Sequence, residues 1–300
     1  MKELANVVKR NTKLFFKDKG MFFSSMITPL IMILLYVTFL ANVYRDSFTS
    51  SMPEGIEVSK KVLEGFIGGW LFSSLLAVCT VTISFCSNLL MIQDKAFGII
   101  SDFRVSQVKK STLAIGYFIS SCFVTMIICY IALVIGLIYL ACVGWYLSFV
   151  DVLLIFFDVF ILIIFGTALS SIINYFLTTQ GQMSAVGTAV SAAYGFICGA
   201  YMPISQFGSF LQKALMFLPG TYGTGLLHSH FNGGVMEELS NNLPSELVFN
   251  IRKNFDIDLY FFGNNVSNWL SYVIIIVADI ALIAIYVLMN VYGKRRKKER

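Results

Sequence analysis

Six apolar segments of about twenty residues or more constrain this chain more than any other feature of its sequence. An α-helix rises about 1.5 Å per residue, so about twenty apolar residues cross the roughly 30 Å hydrocarbon core of a bilayer. The chain is 57% apolar and only 13% charged, whereas soluble domains carry about 25% charged residues. This composition excludes a water-soluble fold. We therefore predict one all-α integral membrane domain over residues 1–300, with six transmembrane helices at 22–42, 66–91, 113–141, 150–176, 183–202 and 268–292.

The basic residues predict how these helices are oriented. Sixteen of the 22 Lys and Arg residues lie in the N-terminal segment, between the second and third helices, or in the C-terminal tail. Because loops rich in Lys and Arg stay on the cytoplasmic side, we expect a multi-pass protein of the plasma membrane with both termini in the cytoplasm. This distribution accounts for most of the net charge of +5, so we expect no nucleic-acid partner.

Two segments outside the predicted transmembrane helices have a distinct pattern. Residues 2–19 place apolar side chains on one side of a helix with lysines around them, which predicts an amphipathic helix on the inner membrane surface. An ordinary basic flank of the first transmembrane helix is the alternative. The outer connection 203–267 begins with apolar pieces that prolines and glycines interrupt, and we predict two short helices there in a re-entrant hairpin. Its polar remainder, 232–267, predicts a small outer cap whose role the sequence does not define.

The segment between the second and third predicted helices mixes apolar side chains with charged ones. Phe97, Ile100 and Phe103 stand among acidic and basic residues. A segment that only connected two helices would not need these apolar side chains. We interpret it as a short helix that fits into a soluble partner and passes force to the membrane domain. An interfacial helix that rests on lipid headgroups is the alternative.

Two lines of small or hydroxyl side chains run along the predicted helices. The hydroxyl line in the second helix is compatible with a polar cavity, and equally with hydroxyls that bond back to the preceding turn. The small-residue ladder in the fifth helix lets another helix approach closely, whether from this chain or from a second copy. The hydroxyl line consists of Ser73, Thr80, Ser84 and Ser87, and the ladder of Gly187, Ser191, Gly195 and Gly199.

Asp158 and Asp279 lie deep within the predicted helices. Because buried carboxylates are costly in lipid, both are candidates for a proton relay, for substrate contact or for structural hydrogen bonds. His228 and His230 stand two residues apart near acidic residues, but this spacing does not match a metal site, and we expect no metal. The sequence has no GxxxxGK[ST] loop, GxSxG elbow or HExxH pair. We therefore expect no catalysis by this chain and no cofactor bound to it.

Two motifs resemble the ABC type-2 membrane permease family, which includes drug, bacteriocin and polysaccharide exporters. DKAFGIISDFRVS is similar to the family's ATPase-coupling region, carried here by Asp94, Gly98, Asp102, Phe103, Arg104, Val105 and Ser106. The stretch after the fifth helix resembles the family's outer signature, carried by Gly199, Pro203, Pro219, Thr221, Tyr222, Gly225 and Leu226. Family members commonly continue with Arg, whereas Leu227 and His228 stand here, so no role of that Arg carries over.

The resemblance covers nearly the whole chain and implies a function. It implies two six-helix halves, with a homodimer favoured over a heterodimer, and a cytoplasmic ABC ATPase that binds ATP and Mg²⁺ for each half. Closure of the ATPases would push on residues 94–106 and alternate access to a cavity lined by the first, second and fifth helices. The cargo would be an amphipathic drug, peptide or lipid-like substrate, moved outward.

Two other functions stay open on the sequence. A proton-coupled secondary transporter would use Asp158 and Asp279 as coupling groups and would work without an ATPase. A membrane sensor or assembly subunit would bind a ligand at the outer cap without transporting it. Both share the predicted membrane fold.

Overall fold

The structure is a computed structural model that describes residues 2–50, 52–53, 58–105 and 108–292. Ser106, the basic tail 294–300 and the side chains of Val37 and Arg104 lie outside this description. The described residues form thirteen α-helices and one two-stranded β-hairpin. The protein is therefore nearly all-α, as predicted.

The N-terminal part contains the predicted amphipathic helix and a long continuous helical stretch. Its elements are α1 (Lys2–Lys17), α2 (Lys19–Leu35), a π-helical segment (Tyr36–Leu40) and α3 (Ala41–Ser50). Asp18 caps α2, since its side chain accepts a hydrogen bond from the Met21 backbone N–H at 3.1 Å. Val7, Asn11 and Phe15 form the buried side of α1, spaced as one face of a helix.

The remaining elements have sequence signals at several of their ends. Ser148 with Asp151, and Thr179 with Gln182, form capping boxes at two helix starts, and a proline begins a third. The first five elements after α3 are α4 (Lys60–Ser87), α5 (Leu89–Ala96), α6 (Ile99–Val105), α7 (Lys110–Val143) and α8 (Phe149–Phe176). The others are α9 (Gln180–Ile197), a 3₁₀ turn (Ile204–Gln206), α10 (Ser209–Leu215), α11 (Pro219–Asn242), α12 (Ser245–Asn254), β1 (Leu259–Phe261), β2 (Asn264–Val266) and α13 (Asn268–Tyr292).

Within the described residues, five helical stretches are long and apolar enough to cross a membrane, so the chain is a multi-pass membrane protein. They are Lys19–Ser50, Lys60–Ala96, Lys110–Val143, Phe149–Phe176 and Asn268–Tyr292. The fifth segment of the sequence prediction, 183–202, overlaps α9, which ends at Ile197 and is not one of these five. Its Gln, Ser and Thr side chains lower its mean hydropathy.

The long helices alternate in direction between two ends of the bundle. At the end that we call the cap end, Trp70 near the start of α4 donates a hydrogen bond from Nε1 to the Phe255 carbonyl at 2.8 Å. At the opposite end, which we call the α6 end, the Tyr286 hydroxyl of α13 donates to the Ala114 carbonyl of α7 at 3.2 Å. α1 also packs on the first turns of α7, where Val7 meets Gly116. Both ends of the described chain therefore lie at the α6 end.

α4 is the central helix of the bundle. Nearly every residue from Gly65 onward in α4 is buried, and its neighbours are α2, α7, α8, α9 and α11. Two glycines permit close approach: a Cβ on Gly166 of α8 would lie 2.6 Å from the Thr80 carbonyl oxygen, and one on Gly136 of α7 would lie 2.6 Å from the Phe72 ring. Since a side chain fits at neither position, both neighbouring helices pack directly against α4.

α11 corrects one expectation from the sequence. We predicted that glycines would break this region into short helices and that a polar cap would begin at residue 232, but the structure has one helix that continues to Asn242. Each helical glycine costs about 1 kcal/mol relative to alanine, yet Gly223 and Gly225 let α11 approach Leu162 and Leu259, where an added Cβ would come within 2.5 Å of each. Tertiary packing therefore outweighs the low helix propensity.

The cap consists of α12 and the β1–β2 hairpin. Its strands pair antiparallel, with Leu259 opposite Val266. Arg252 at the end of α12 donates to Asp258 from Nε and Nη2 at 2.7 and 2.8 Å. Phe255 packs edge to face on Phe66, with ring centroids 5.0 Å apart. The cap is therefore attached to α4 by aromatic contacts, and the hairpin makes the fold slightly less than purely helical.

Two adjacent glycines in α11 provide a matched test of this packing. A Cβ on Gly234 would lie 1.8 Å from the Tyr146 carbonyl oxygen, whereas one on Gly233 would meet only Asp151 at 3.7 Å. We expect Gly234→Ala to destabilise the protein by about 3 kcal/mol or more, because backbone atoms must move. Gly233→Ala should be neutral or stabilising by up to about 1 kcal/mol. Thermal unfolding in detergent compares the two, and equal melting temperatures would contradict the packing described.

Candidate functional site

The segment from α5 through α6 carries exposed apolar side chains at the α6 end of the bundle. Phe97 is 71% exposed and Val105 is 85% exposed, and the exposed Asp102 stands between them in sequence. Gly98 has a φ of +76°, a left-handed conformation that lets α5 and α6 meet in a tight turn. A Cβ on this glycine would meet no described atom within 4 Å. We call Phe97, Gly98, Asp102 and Val105 the coupling surface.

The other side of this segment is held by the N-terminal helix. The buried Asp94 carboxylate accepts hydrogen bonds from Arg10 Nη1 at 2.6 Å and Nη2 at 3.0 Å, and from the Tyr117 hydroxyl. The Arg10 guanidinium also lies over the Phe103 ring, 5.3 Å from its centroid. The bond to Asp94 raises the pKa of Arg10, although partial burial opposes this, so the guanidinium stays charged. Two of the residues predicted for coupling, Asp94 and Phe103, therefore attach the α5–α6 segment to α1.

A second contact attaches α5 to the end of α8. Lys95 Nζ donates to the carbonyl oxygens of Asn174 at 2.9 Å and Tyr175 at 3.1 Å. These carbonyls belong to the last turn of α8, where the negative end of the helix dipole makes a cation favourable. Asp94 connects α5 to α1 and α7, while Lys95 connects it to α8. A displacement of α5 is therefore transmitted to three other helices.

The hydroxyl line of α4 lies inside the bundle. Ser84 Oγ shares hydrogen bonds with Thr125 Oγ1 at 3.3 Å and Thr167 Oγ1 at 3.1 Å, and Ser87 pairs with Ser121. These bonds join α4 to α7 and α8. All four residues predicted to line a cavity are buried in this conformation, namely Ser73, Thr80, Ser84 and Ser87. Here their hydroxyls make bonds within the chain.

The two buried carboxylates differ in their surroundings. Asp158 of α8 accepts a hydrogen bond from the Tyr272 hydroxyl of α13 at 2.5 Å, and its other oxygen lies 2.6 Å from His230 Nδ1 of α11. Asp279 of α13 is also buried, but its Oδ1 has no hydrogen-bond partner in the described part of the chain. Asp158 thus joins three helices, whereas Asp279 retains an unused acceptor.

His228 and His230 face different neighbours. His228 stacks on Trp70 with ring centroids 4.9 Å apart, and its Nδ1 lies 2.9 Å from Ser73 Oγ, whereas His230 contacts Asp158. Among the described residues, no group of three His, Cys, Asp or Glu side chains is arranged to hold a metal ion. Both histidines instead connect α11 to its neighbouring helices.

The small-residue ladder of α9 is used partly within the chain. A Cβ on Gly195 would lie 2.2 Å from the Tyr201 ring, and Gly199 has a φ of +80° at the turn after the helix. Gly187 and Ser191 are partly exposed, and a Cβ on Gly187 would meet no described atom within 4 Å. Only the half of the ladder nearer the α6 end is therefore available to another chain.

Three residues of the predicted outer signature, Pro219, Thr221 and Tyr222, lie at the turn between α10 and α11, while Gly199 and Pro203 precede α10 and Gly225 and Leu226 lie within α11. Thr221 Oγ1 donates to the Leu215 carbonyl at 2.9 Å, and the Tyr222 hydroxyl donates to the Met216 carbonyl at 2.6 Å. Both acceptors lie at the end of α10, where backbone carbonyls lack partners within the helix. Pro219 begins α11, a position that requires no backbone N–H. The motif thus closes a helix–turn–helix.

Asp256 attaches the cap to the segment before α10. Its carboxylate accepts hydrogen bonds from the backbone N–H groups of Ile204 and, at 3.2 Å, Ser205, which follow Pro203. Burial raises the pKa of Asp256 to about 7, although the two backbone bonds act in the opposite direction. The cap therefore contains a group that titrates near neutral pH.

The partners that hold these surfaces are not evident from the sequence pattern. Arg10, Lys95, Tyr117 and Asp256 were assigned no role. The sequence does contain one signal. Asp94 follows the second predicted helix, which ends in LLMIQ, and a carboxylate at such a position needs a cation nearby. The pattern cannot say which cation, because Arg10 lies 84 residues away in sequence.

We compared the chain with models of known protein families. The family model described as "ABC-2 type transporter" matches residues 2–231. The match includes the coupling surface and the turn between α10 and α11, and it ends within α11. No curated protein matches the chain.

The ion pair beneath the coupling surface predicts an asymmetric mutational effect. Arg10→Met should cost about 3 kcal/mol, because it leaves the Asp94 carboxylate, only 3% exposed, without a counter-charge. Asp94→Asn should cost less, because the Arg10 side chain is 29% exposed and keeps part of its hydration. Thermal unfolding of the purified chain measures both effects. Arg45→Met is the control, since its pair with Glu64 is more exposed and should contribute less than about 1 kcal/mol. If Arg45→Met lowered the stability as much as Arg10→Met does, this ranking would be contradicted.

The raised pKa of Asp256 predicts a pH dependence of stability. The folded carboxyl binds a proton that the unfolded chain releases between its ordinary pKa of 3.8 and about 7. Stability from this group is therefore fully present below that window and is lost as pH rises through 7. We expect the melting temperature of the wild type to fall between pH 5 and 8 by several degrees more than that of Asp256→Asn. Parallel pH profiles for the two proteins would refute this.

Proposed function

This chain belongs to the ABC-2 type transporter family, and we propose that, as the permease subunit, it moves an amphipathic drug, peptide or lipid-like substrate outward by alternating access. A separate cytoplasmic ABC ATPase supplies the energy and binds ATP and Mg²⁺. The observation that carries the proposal is the coupling surface, an exposed apolar patch on a segment that is fixed firmly to the helices behind it.

The exposed side chains suit a protein partner at the α6 end. Phe97 and Val105 present apolar area to the solvent side of the bundle, and Asp102 adds a charge that fixes orientation. A few buried aromatic and aliphatic anchors supply most of the affinity of a protein interface. We therefore assign the ATPase contact to this surface, including Gly98, whose left-handed backbone positions α6.

The distribution of basic residues supports a cytoplasmic position for the α6 end and a chain that crosses the plasma membrane. Sixteen of the 22 Lys and Arg residues lie in the segments that meet at this end or follow it in the tail. The N-terminal helix and the last turns of α13 lie there together with α6. The cap is then on the outer side.

Force from the ATPase reaches the bundle by two routes. One runs from α6 through Phe103 and Arg10 to α1, and the other runs from α5 through Lys95 to the end of α8. α5 also continues from α4, the central helix. Rocking of these helices opens a path between two copies of the chain, and the hydroxyls of α4 keep α7 and α8 joined to it as they move.

The second copy packs on α9, which we place in the membrane as the fifth of six transmembrane helices in chain order. Its exposed residues are mostly small and weakly apolar: Ser184, Ala185, Thr188, Ala189, Ala192 and Ala193. Such a face gains little from lipid but allows close helix–helix approach. The segment 198–218 with the start of α11 forms the re-entrant hairpin, shielded from lipid by the second copy. A homodimer is the simplest assembly.

Transport in vesicles tests the proposal. Inside-out vesicles that contain the chain and its co-purified ATPase should accumulate a fluorescent amphipathic dye with ATP but not with a non-hydrolysable analogue. Turnover of ATP by the purified chain alone, or transport after deletion of the ATPase, would refute the mechanism.

Mutation of the coupling surface tests whether it binds the ATPase without affecting the stability of the fold. Phe97→Ser combined with Val105→Ser should reduce ATPase co-purification by about tenfold, since two anchors of an interface are lost. The melting temperature should stay close to that of the wild type, because both side chains are exposed. Phe149→Ser is the control: Phe149 is 78% exposed but lies at the cap end. Equal co-purification of the double variant and the control would rule out this contact.

The unused acceptor of Asp279 favours one second candidate, proton-coupled transport. In that case flux would follow a pH gradient without the ATPase. Asp158→Asn combined with Asp279→Asn would abolish it.

A further inference from the structure

A groove of about 780 Å³ runs along α1 where this helix crosses α7. This volume falls in the range of about 300–1,000 Å³ typical of ligand sites. The walls are almost entirely apolar. They are lined by Leu4, Ala5, Val8 and Phe16 of α1 and by Ile119 and Phe123 of α7.

Two lysines stand at the rim of the groove. Lys9 and Lys13 are one helical turn apart, both are exposed, and they are the charged residues that line it. No ion pair joins either lysine to a described carboxylate. The neighbouring Arg10 differs in this respect, because Asp94 binds it. The rim therefore presents two positive charges that are available to an anion.

The position of the groove along α7 is compatible with the inner surface of a bilayer, because α7 has 34 residues and a centred hydrocarbon core of about 30 Å would begin about 10 Å from its first residue. Ile119 and Phe123 follow the start of α7 at Lys110 by 9 and 13 residues, which places them about 14–20 Å along the helix. Both side chains are partly exposed, 38% and 44%, on a helix that crosses the membrane. The apolar walls suit an acyl chain, and the two ammonium groups at the rim suit the phosphate to which that chain is attached.

We propose that this groove binds one anionic phospholipid, with an acyl chain along Ile119 and Phe123 and the headgroup phosphate between Lys9 and Lys13. The apolar walls favour a lipid over a free anion, because only an acyl chain fills them. Two lysines without an acidic neighbour in the lining favour an anionic headgroup over a zwitterionic one. The site goes beyond the proposed function, since it requires neither the ATPase nor transport. Bound lipid would hold α1 against α7 and so support the contact between Arg10 and Asp94.

Native mass spectrometry of the purified full chain tests the site. We expect the wild type to retain one molecule of dioleoylphosphatidylglycerol about tenfold more strongly than dioleoylphosphatidylcholine. Lys9→Gln combined with Lys13→Gln should remove this preference. Lys2→Gln combined with Lys19→Gln is the matched control, because it removes the same charge outside the groove and should leave the preference unchanged. Equal retention of the two lipids by the wild type, or equal loss in both double variants, would overturn the proposal.

A second variant tests the apolar part of the site. Ala5→Trp fills the groove without changing charge and should reduce retention of both lipids, whereas Asn6→Trp, on the neighbouring side of α1, should not. Excess glycerophosphoglycerol, which has the headgroup but no acyl chains, should not displace the bound lipid. Displacement by glycerophosphoglycerol, or equal lipid loss in both tryptophan variants, would refute an acyl-chain site. Circular dichroism verifies that each variant is folded, and if the lysine variant were not, the lipid preference of the wild type and the tryptophan pair would decide.

Discussion

The carboxylate of Asp94 needs a cation because it is buried at the end of a helix, and the N-terminal helix supplies that cation through Arg10. Removing a carboxylate from water without a counter-charge costs several kcal/mol, so this pairing fixes where α1 lies. The Tyr117 hydroxyl adds α7 to the same carboxylate, and the Phe103 ring beneath the guanidinium adds α6. The α6 end is therefore organised around one buried charge, and the coupling surface keeps its position only while that charge is neutralised.

The central helix shows how polar groups are accommodated in an apolar bundle. Hydroxyls of α4 bond to hydroxyls of α7 and α8, so that each satisfies the other away from lipid. Gly166 removes the side chain that would keep α8 away from the α4 backbone. Close backbone contact together with these hydroxyl bonds joins α4 to its neighbours as one packed unit. A push at α5 therefore moves a packed unit, which is the behaviour that an element driven from outside requires.

Much of the fold follows from the apolar segments, because a helix that crosses lipid is specified by its length and composition. That reasoning located the five stretches that are long and apolar enough to cross a membrane and the amphipathic α1, and the match to the family model identifies the family suggested by the coupling motif. It failed for α11, where glycines that lower helix propensity serve close packing instead. It also could not pair Arg10 with Asp94 or His230 with Asp158, since such pairs depend on which helices are neighbours and no periodicity encodes that.

The 84-residue separation between Arg10 and Asp94 has a consequence for biosynthesis. α1 leaves the ribosome before α4, but the carboxylate that anchors it emerges only after α4, and Tyr117 emerges later still. Until then, the newly made N-terminal helix has only the bilayer surface to cover its apolar face. Docking of α1 is therefore a late step of assembly, and it reports that the central helix has already been inserted.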